Sequence, residues 1–392
     1  MKASSLREYL DDLYAAGVWL CSLGIVDVRR AHASLLGMAT AGMPLDLLAE
    51  LVEQLQRHLP GCADPDMALH NLARFVGAAR NPLAMGTLFE RDPGALPTLL
   101  QIFAGSQYLS DLLVMDPEGF DLLRLSEGQP VAREALVSEL AAEIAAMEHE
   151  PAVLRALRRF KRRETLRIAY SDIVSGQSLR SITMQISFVA DAMIEGALRA
   201  AWRKFQGLRG TPLRPDGRSA RFVVLGLGKL GGLELNYSSD IDLIFLCESE
   251  GSTDGARSIS NAEFFELLGR ELMRLLTERT ELGSAYRVDM RLRPEGQRGP
   301  MAMGLQTALA YYDNRGRTWE RQAYIKARPV AGDLAFGHEF LEKLTPWIYR
   351  RYLSHADISG IKALKRRIEQ QTTDVGGGVR DVKTGRGGIR DV

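Results

Sequence analysis

Apolar positions at helical spacing dominate the first half of the chain. Leu51, Leu55, His58 and Leu59 fall on one helical face, as do Leu109, Leu112 and Leu113 and, further on, Leu122 and Leu123. The pattern is interrupted at Gly42-Met43-Pro44, Asn81-Pro82, Asp92-Pro93 and Asp116-Pro117-Glu118-Gly119. An Asp or Asn before proline marks a helix break and a candidate N-cap. Residues 1–205 therefore predict an array of ordinary helices, with no fixed-period repeat. Residues 207–220 hold three glycines and two prolines among polar positions, which reads as a linker or loop.

Beyond the linker the period changes from helical to alternating. Phe222-Val223-Val224-Leu225, the run Ile241 to Cys247, and the alternating stretch Tyr286 to Leu292 predict three short strands. A polar loop fills 248–260. Asn261 then caps a helix whose apolar face is Phe264, Leu267, Leu268, Leu272 and Leu275. Residues 305–330 and 338–371 read as helical. The glycine-rich, basic stretch 376–392 alternates into Ile389, which favours a strand over a flexible tail. The pattern predicts an α+β fold, with a small mixed β-sheet flanked by a helical N-terminal domain and further helices. The expected divisions are a helical region over 1–150, a catalytic domain over 151–335 and the start of a further region over 336–392.

Composition narrows the function classes. The 392 residues predict two or three domains at roughly 100–200 residues each. Lys+Arg number 50 against 49 Asp+Glu, a net charge of +1, which excludes coating nucleic acid or acidic lipid by bulk charge. Cys21, Cys62 and Cys247 are far apart, and the six histidines form no HxxxH or HxH pair. Neither a disulfide framework nor a zinc site is expected, and a reducing, cytoplasmic compartment fits. The uncharged run Leu13 to Val26 follows acids rather than a basic segment and is too short to span a bilayer. Arg155, Arg158, Arg159, Lys161, Arg162, Arg163 and Arg167 crowd one stretch. That run reads first as a solvated helix face, with phosphate or partner contact as the sharper alternative.

The stretch that carries chemistry is Gly226-Leu227-Gly228-Lys229-Leu230-Gly231-Gly232, running on to Ser238-Ser239-Asp240-Ile241-Asp242. One reading is a dinucleotide site, with Gly226, Gly228 and Gly231 as GxGxxG and Glu248 as the ribose acid. Only about ten residues remain for its crossover helix, which is short for that fold. A P-loop is excluded because Leu230, not Ser or Thr, follows Lys229. A third reading uses every residue. Asp240 and Asp242, at i and i+2 of a strand, share a face, and Asp289 completes three carboxylates if its strand lies alongside. Such a cluster suits one or two Mg²⁺ ions and in-line phosphoryl transfer. The Gly228-Lys229 turn would offer N–H groups and an ammonium to the phosphates, and Arg291 and Arg293 would neutralise developing charge. The bland alternative leaves Asp240 as a cap and Asp242 as an ion-pair partner.

The spacing from Gly228 to Asp240-x-Asp242 resembles nucleotidyltransferases of the DNA polymerase beta type. More narrowly, GLGKLGGLELNYSSDIDLIF is similar to the glutamine synthetase adenylyltransferase/adenylyl-removing enzyme family. RVDMRLRPEGQRGP, TWERQAYIKARPVAGD and DVKTGRGGIRDV extend the likeness, with FAGSQYLSDLLVMDPEGFDLL and LRRFKRRETLRIAYSDI upstream. The resemblance implies a Mg²⁺-dependent site that removes AMP from a tyrosine of glutamine synthetase by phosphorolysis, yielding ADP. Asp240, Asp242 and Asp289 would hold metal. Gly228, Lys229, Ser239, Arg291 and Arg293 would meet nucleotide or phosphate. Glu320, Arg321 and Lys326 lie on the matching helix, and Lys383, Arg386 and Arg390 on the basic segment. Lys326 and Arg328 read equally as plain surface charges, and Tyr312, Trp319 and Tyr324 as packing residues. Glutamine synthetase and the PII signal protein are the implied partners, with ATP or ADP and phosphate as small substrates. Forward adenylylation, uridylylation of PII, or a docking module without turnover are the alternatives. The chain stops at Arg390-Asp391-Val392, inside a motif that runs on in the family, which predicts a piece of a longer two-activity chain.

Overall fold

The computed structural model describes residues 3–349, together with 358–360, 362, 363 and 366. Two compact units divide the chain: residues up to Leu136 with Arg155–Val189, and Val137–Leu154 with the chain from Ala190 on. The divisions fall inside helices.

The first unit is helical. Nine helices lead it, from Ala3–Asp11 to Gly119–Ser126. Asn81 caps the helix Pro82–Arg91, its side chain accepting from the Ala84 N–H at 3.1 Å. Asp92 and Asp116 end helices and cap none, since Gly94 and Glu118 open the helices that follow. Asp64, ahead of Pro65, is a cap that the break pattern did not single out. Phe75 packs on Phe103 and Phe120 at ring separations of 5.6 and 6.2 Å.

The basic run differs from expectation. It lies in the helix Glu150–Ile173, but Arg158 and Arg167 are buried. Arg167 donates to Glu164 at 2.7 Å, to the Gln129 carbonyl at 2.6 Å and to Gln185 at 2.9 Å. Gln185 in turn exchanges two hydrogen bonds of 2.9 Å with the Val131 backbone. Arg155 and Arg159 stay exposed, as expected of a solvated face, whereas Arg167 can be inside because its guanidinium finds acceptors there.

The second unit carries the sheet. Its strands are β1 (Pro212–Leu213), β2 (Phe222–Leu227), β3 (Ile241–Cys247), β4 (Ser252–Thr253), β5 (Val288–Asp289), β6 (Ala302–Gly304) and β7 (Arg328–Gly332). β1 and β4 form a small ribbon out of the expected linker and polar loop. The main sheet has the order β5-β3-β2-β7, with β6 on the same edge of β3 as β5. β2 is antiparallel to β3 and β7, whereas β5 and β6 run parallel to β3, so the sheet is mixed.

Both faces of the central strands are covered, which explains their unbroken apolar runs. Val223, Leu225, Leu227, Ile244 and Leu246 pack with Tyr312, Tyr324, Phe336, Phe340 and Trp347. On the other side Phe222 stacks on Phe265 of the helix Asn261–Thr277 at 5.4 Å. Tyr312 and Tyr324 are thus core residues, and their hydroxyls bond each other at 2.8 Å.

Two helical expectations are corrected. The stretch 305–330 is two helices, Leu305–Arg315 and Thr318–Tyr324, followed by β7. Lys326 and Arg328 therefore sit outside any helix. Pro329 explains both the miss and the outcome: without an N–H it fits only an edge strand or a bulge. β7 is an edge strand, and its register with β2 shifts at that point. Of the helix expected over 338–371, the described residues show Leu334–Ile348, which starts earlier, and helical positions at 358–360, 362, 363 and 366.

Candidate active site

The antiparallel β2–β3 pair settles the glycine motif. A dinucleotide fold needs parallel strands joined by a crossover helix, whereas here only the one-turn helix Gly228–Gly231 follows β2. Glu248, the candidate ribose acid, is taken up by Arg221 at 2.8 Å and Arg214 at 3.3 Å. Burial pushes its carboxyl up, but the Arg221 bonds outweigh it and hold the group below its ordinary value.

The turn is shaped by two glycines. Gly228 has φ +55°, and a Cβ there would stand 2.7 Å from Asp242 Oδ2. A Cβ at Gly231 would stand 1.9 Å from the Lys326 carbonyl oxygen. Hence the turn lies flat against the Asp242 carboxylate in front and the chain entering β7 behind. Hydrogen bonds from Gly232 N to Gly228 O and from Glu234 N to Lys229 O, at 3.1 and 2.7 Å, close it.

The acids meet through strand register. Ile241 pairs with Val288 and Asp242 with Asp289 in parallel strands, so the two carboxylates leave one face about 4.8 Å apart along the sheet. Asp240, just outside β3, is exposed and paired with Arg287, which also donates to the Ser238 carbonyl at 2.9 Å. Asp289 accepts from Arg291 Nε at 2.8 and 3.0 Å and from the Arg291 N–H at 2.8 Å. The Arg291 guanidinium holds the Asp289 carboxyl below the usual range, against burial.

The other expected site residues divide. Ser239 sits in the tight turn before Asp240, donating to Asn236 Oδ1 at 2.6 Å. Lys326 flanks the glycine turn and pairs with Glu234 at 2.7 Å. Arg293 points into its own loop, donating to the carbonyls of Met290, Gln297 and Gly299. Arg321 is buried, donates to the Trp347 carbonyl at 2.7 Å and lies 5.0 Å over the Trp347 ring. Glu320 is also buried and accepts from Tyr311 at 3.0 Å and the Arg317 N–H at 2.7 Å. Lys383, Arg386 and Arg390 lie outside the described residues.

Structure adds residues that the spacing did not single out. Arg287 alternates with Asp289 and Arg291, so the strand pattern held its signal. Arg328, read as a surface charge, pairs with Asp191, which had no local signal at all.

Three carboxylates at one sheet end supply hard oxygen donors, the set that Mg²⁺ takes. Among the described residues, no three or more His, Cys, Asp or Glu are gathered for a metal ion. Asp242 and Asp289 are the pair that register brings together, while Asp240 and Asp289 are each held by a guanidinium. Carboxylate oxygen is the right donor type for the ion, but the described residues do not gather the three acids around one point.

Fold and site together define an α+β protein whose small mixed sheet ends in paired acids beside a glycine turn. The family model of glutamate-ammonia ligase adenylyltransferase matches residues 96–343, more than half of the chain. The chain belongs to that family. It is 41% identical over 341 residues to the bifunctional glutamine synthetase adenylyltransferase/adenylyl-removing enzyme of Thioalkalivibrio sulfidiphilus, covering 85% of this chain and 34% of the relative. The protein of that name from Hahella chejuensis is 40% identical over 76% of this chain and 31% of its own length. The one from Pseudomonas aeruginosa is 38% identical over 89% and 35%. The chain spans about a third of the length of the curated relatives it matches. Among the described residues no helix is long and apolar enough to cross a membrane.

Proposed function

We propose that the sheet end is a nucleotidyl-transfer site that removes AMP from the adenylylated tyrosine of glutamine synthetase, with inorganic phosphate as acceptor and ADP as product. The observation that carries this reading is the register of Asp242 on Asp289 directly beside Gly228. The relatives' name, with both an adenylyltransferase and an adenylyl-removing activity, supports the substrate. The ELNYSSDIDLIF string and the helical segment before it support removal over attachment, by their likeness to the adenylyl-removing half.

Asp240, Asp242 and Asp289 would hold Mg²⁺. The ion, when bound, neutralises phosphoryl charge and aligns the entering and leaving oxygens. The turn residues Gly228 and Lys229 offer backbone N–H groups and an ammonium to a phosphate. Arg287 and Arg291, whose side chains are 73% and 75% exposed, supply positive charge at the same edge, each paired with an acid. Phosphate is already a good nucleophile at neutral pH, so orientation and charge neutralisation are the main tasks of these residues. The work belongs in the cytoplasm, with PII as a regulatory partner.

The test is phosphate-dependent release of ADP from adenylylated glutamine synthetase by the 392-residue chain. Release that persists without phosphate, or at wild-type rate in Asp242→Asn, overturns the proposal. A second reading is forward adenylylation, favoured by the adenylyltransferase activity for which the family is named. Label transfer from α-labelled ATP to unmodified glutamine synthetase, with no ADP release in the reverse assay, would establish it instead.

A further inference from the structure

The Asp191–Arg328 ion pair stands apart from the other charges of the second unit. Asp191 lies on the helix Leu179–Arg209 and is completely buried. It takes Arg328 in a two-pronged bond, Nη1 to Oδ2 at 2.6 Å and Nη2 to Oδ1 at 3.0 Å. The same Nη2 reaches the Leu230 carbonyl, inside the glycine turn, at 3.2 Å. One helical turn along, Glu195 Oε2 accepts the Gly332 N–H at 2.8 Å. Arg328 and Gly332 are the first and last residues of β7, so two acids at i and i+4 hold both ends of one strand.

That hold matters because β7 is poorly specified by its own ladder. It is an edge strand, Pro329 offers no N–H, and its register with β2 shifts between Val224 and Leu225. Meanwhile the chain entering β7 backs directly onto the turn, through Lys326 O against Gly231. A displacement of Arg328 is therefore a displacement of Leu230 and Gly231. A planar guanidinium gripped by both carboxylate oxygens cannot swing, so its contact to Leu230 is aimed.

We propose that Asp191 and Glu195 are positioning residues. Through β7 and Arg328 they set where the Gly228–Gly231 turn presents its N–H groups to the phosphoryl substrate. The functional half of this inference rests on the proposed phosphate role of the turn.

Arg328→Lys is the decisive variant. An ammonium still reaches Asp191, but it lacks the fork that also serves Leu230. The full chain should keep its Tm within a few degrees, while the Gly232, Leu233 and Glu234 amides exchange with deuterium about tenfold faster. In the ADP-release assay KM for phosphate should rise about ten- to a hundredfold, the cost of a misplacement near 1 Å, with kcat changed less. Asp191→Asn should do the same with a lower Tm, and Glu195→Gln should have a smaller effect, since its amide oxygen still accepts. Wild-type exchange at the turn in Arg328→Lys overturns the positioning role, even if Asp191→Asn fails to fold. Faster exchange with unchanged KM overturns its link to phosphate. If the wild-type chain releases no ADP, the proposed function fails, and the exchange data still decide whether the acids hold the turn.

Discussion

Glu164–Arg167 in the first unit and Asp289–Arg291 in the second are both carboxylate–arginine pairs two or three residues apart. Their settings are opposite. The Glu164 and Arg167 side chains are 6% and 8% exposed, and each Arg167 nitrogen donates to a side chain or a carbonyl. Arg291 is 75% exposed, over a carboxylate that is 18% exposed. A buried pair is costly to break because the abandoned charge cannot reach water, whereas an exposed guanidinium leaves its partner cheaply. The first kind of pair fixes structure. The second leaves charge at hand for a ligand.

The contrast yields measurements of decreasing effect. Glu164→Ala should destabilise the protein by about 3–5 kcal/mol in denaturant unfolding, because Arg167 stays buried without its carboxylate. A loss under about 1 kcal/mol would erase the distinction. Asp242→Asn should lower ADP release by a factor on the order of 10²–10³, with a much smaller change in the unfolding midpoint than Glu164→Ala. Arg287→Gln should cost about 0–1 kcal/mol, and that cost should vanish in high salt, as expected of an exposed pair.

The acid limb of the stability profile sharpens the same point. Arg291 depresses the Asp289 carboxyl, so the pair's stabilisation is present above the ordinary value of 3.8 and is lost as pH falls through the depressed value. Asp289→Asn and wild type should therefore differ near neutrality and converge in strong acid, as followed by circular dichroism. Thiol titration gives the smallest and simplest check. Burial pushes Cys247 up to about 12, so native protein at pH 8 should react fast at exposed Cys21 and not at Cys247.

Much of the site was legible because its signals are short-range. The Gly226-Leu227-Gly228-Lys229 turn, the Asp240-x-Asp242 spacing and the alternation around Asp289 each span only a few residues. The dinucleotide reading failed on a property no spacing carries, the antiparallel sense of β2 and β3. β7 escaped because Pro329 looks like a strand breaker until an edge position makes it acceptable. The reading of the 155–167 run as solvated holds for Arg155 and Arg159 but not for Arg167, because periodicity records charge but not the acceptors that Gln129 and Gln185 bring from elsewhere. Arg293 and Arg321 are expected by motif likeness, which carries no record of the carbonyls of Met290 and Trp347 that packing offers their guanidinium groups.

Residue order alone set most of the helices and their breaks and the segments of β2, β3 and β5, since periodicity, caps and turn glycines act over one or two turns of chain. Packing decided which charges are buried and which are exchangeable. Arg287 meets Asp240 across 47 residues, and Arg328 meets Asp191 across 137. Both pairs form only once the tertiary fold brings distant segments together; at Asp191 burial also excludes water, so that carboxylate must find its partner, whereas the exposed Arg287 pair stays exchangeable.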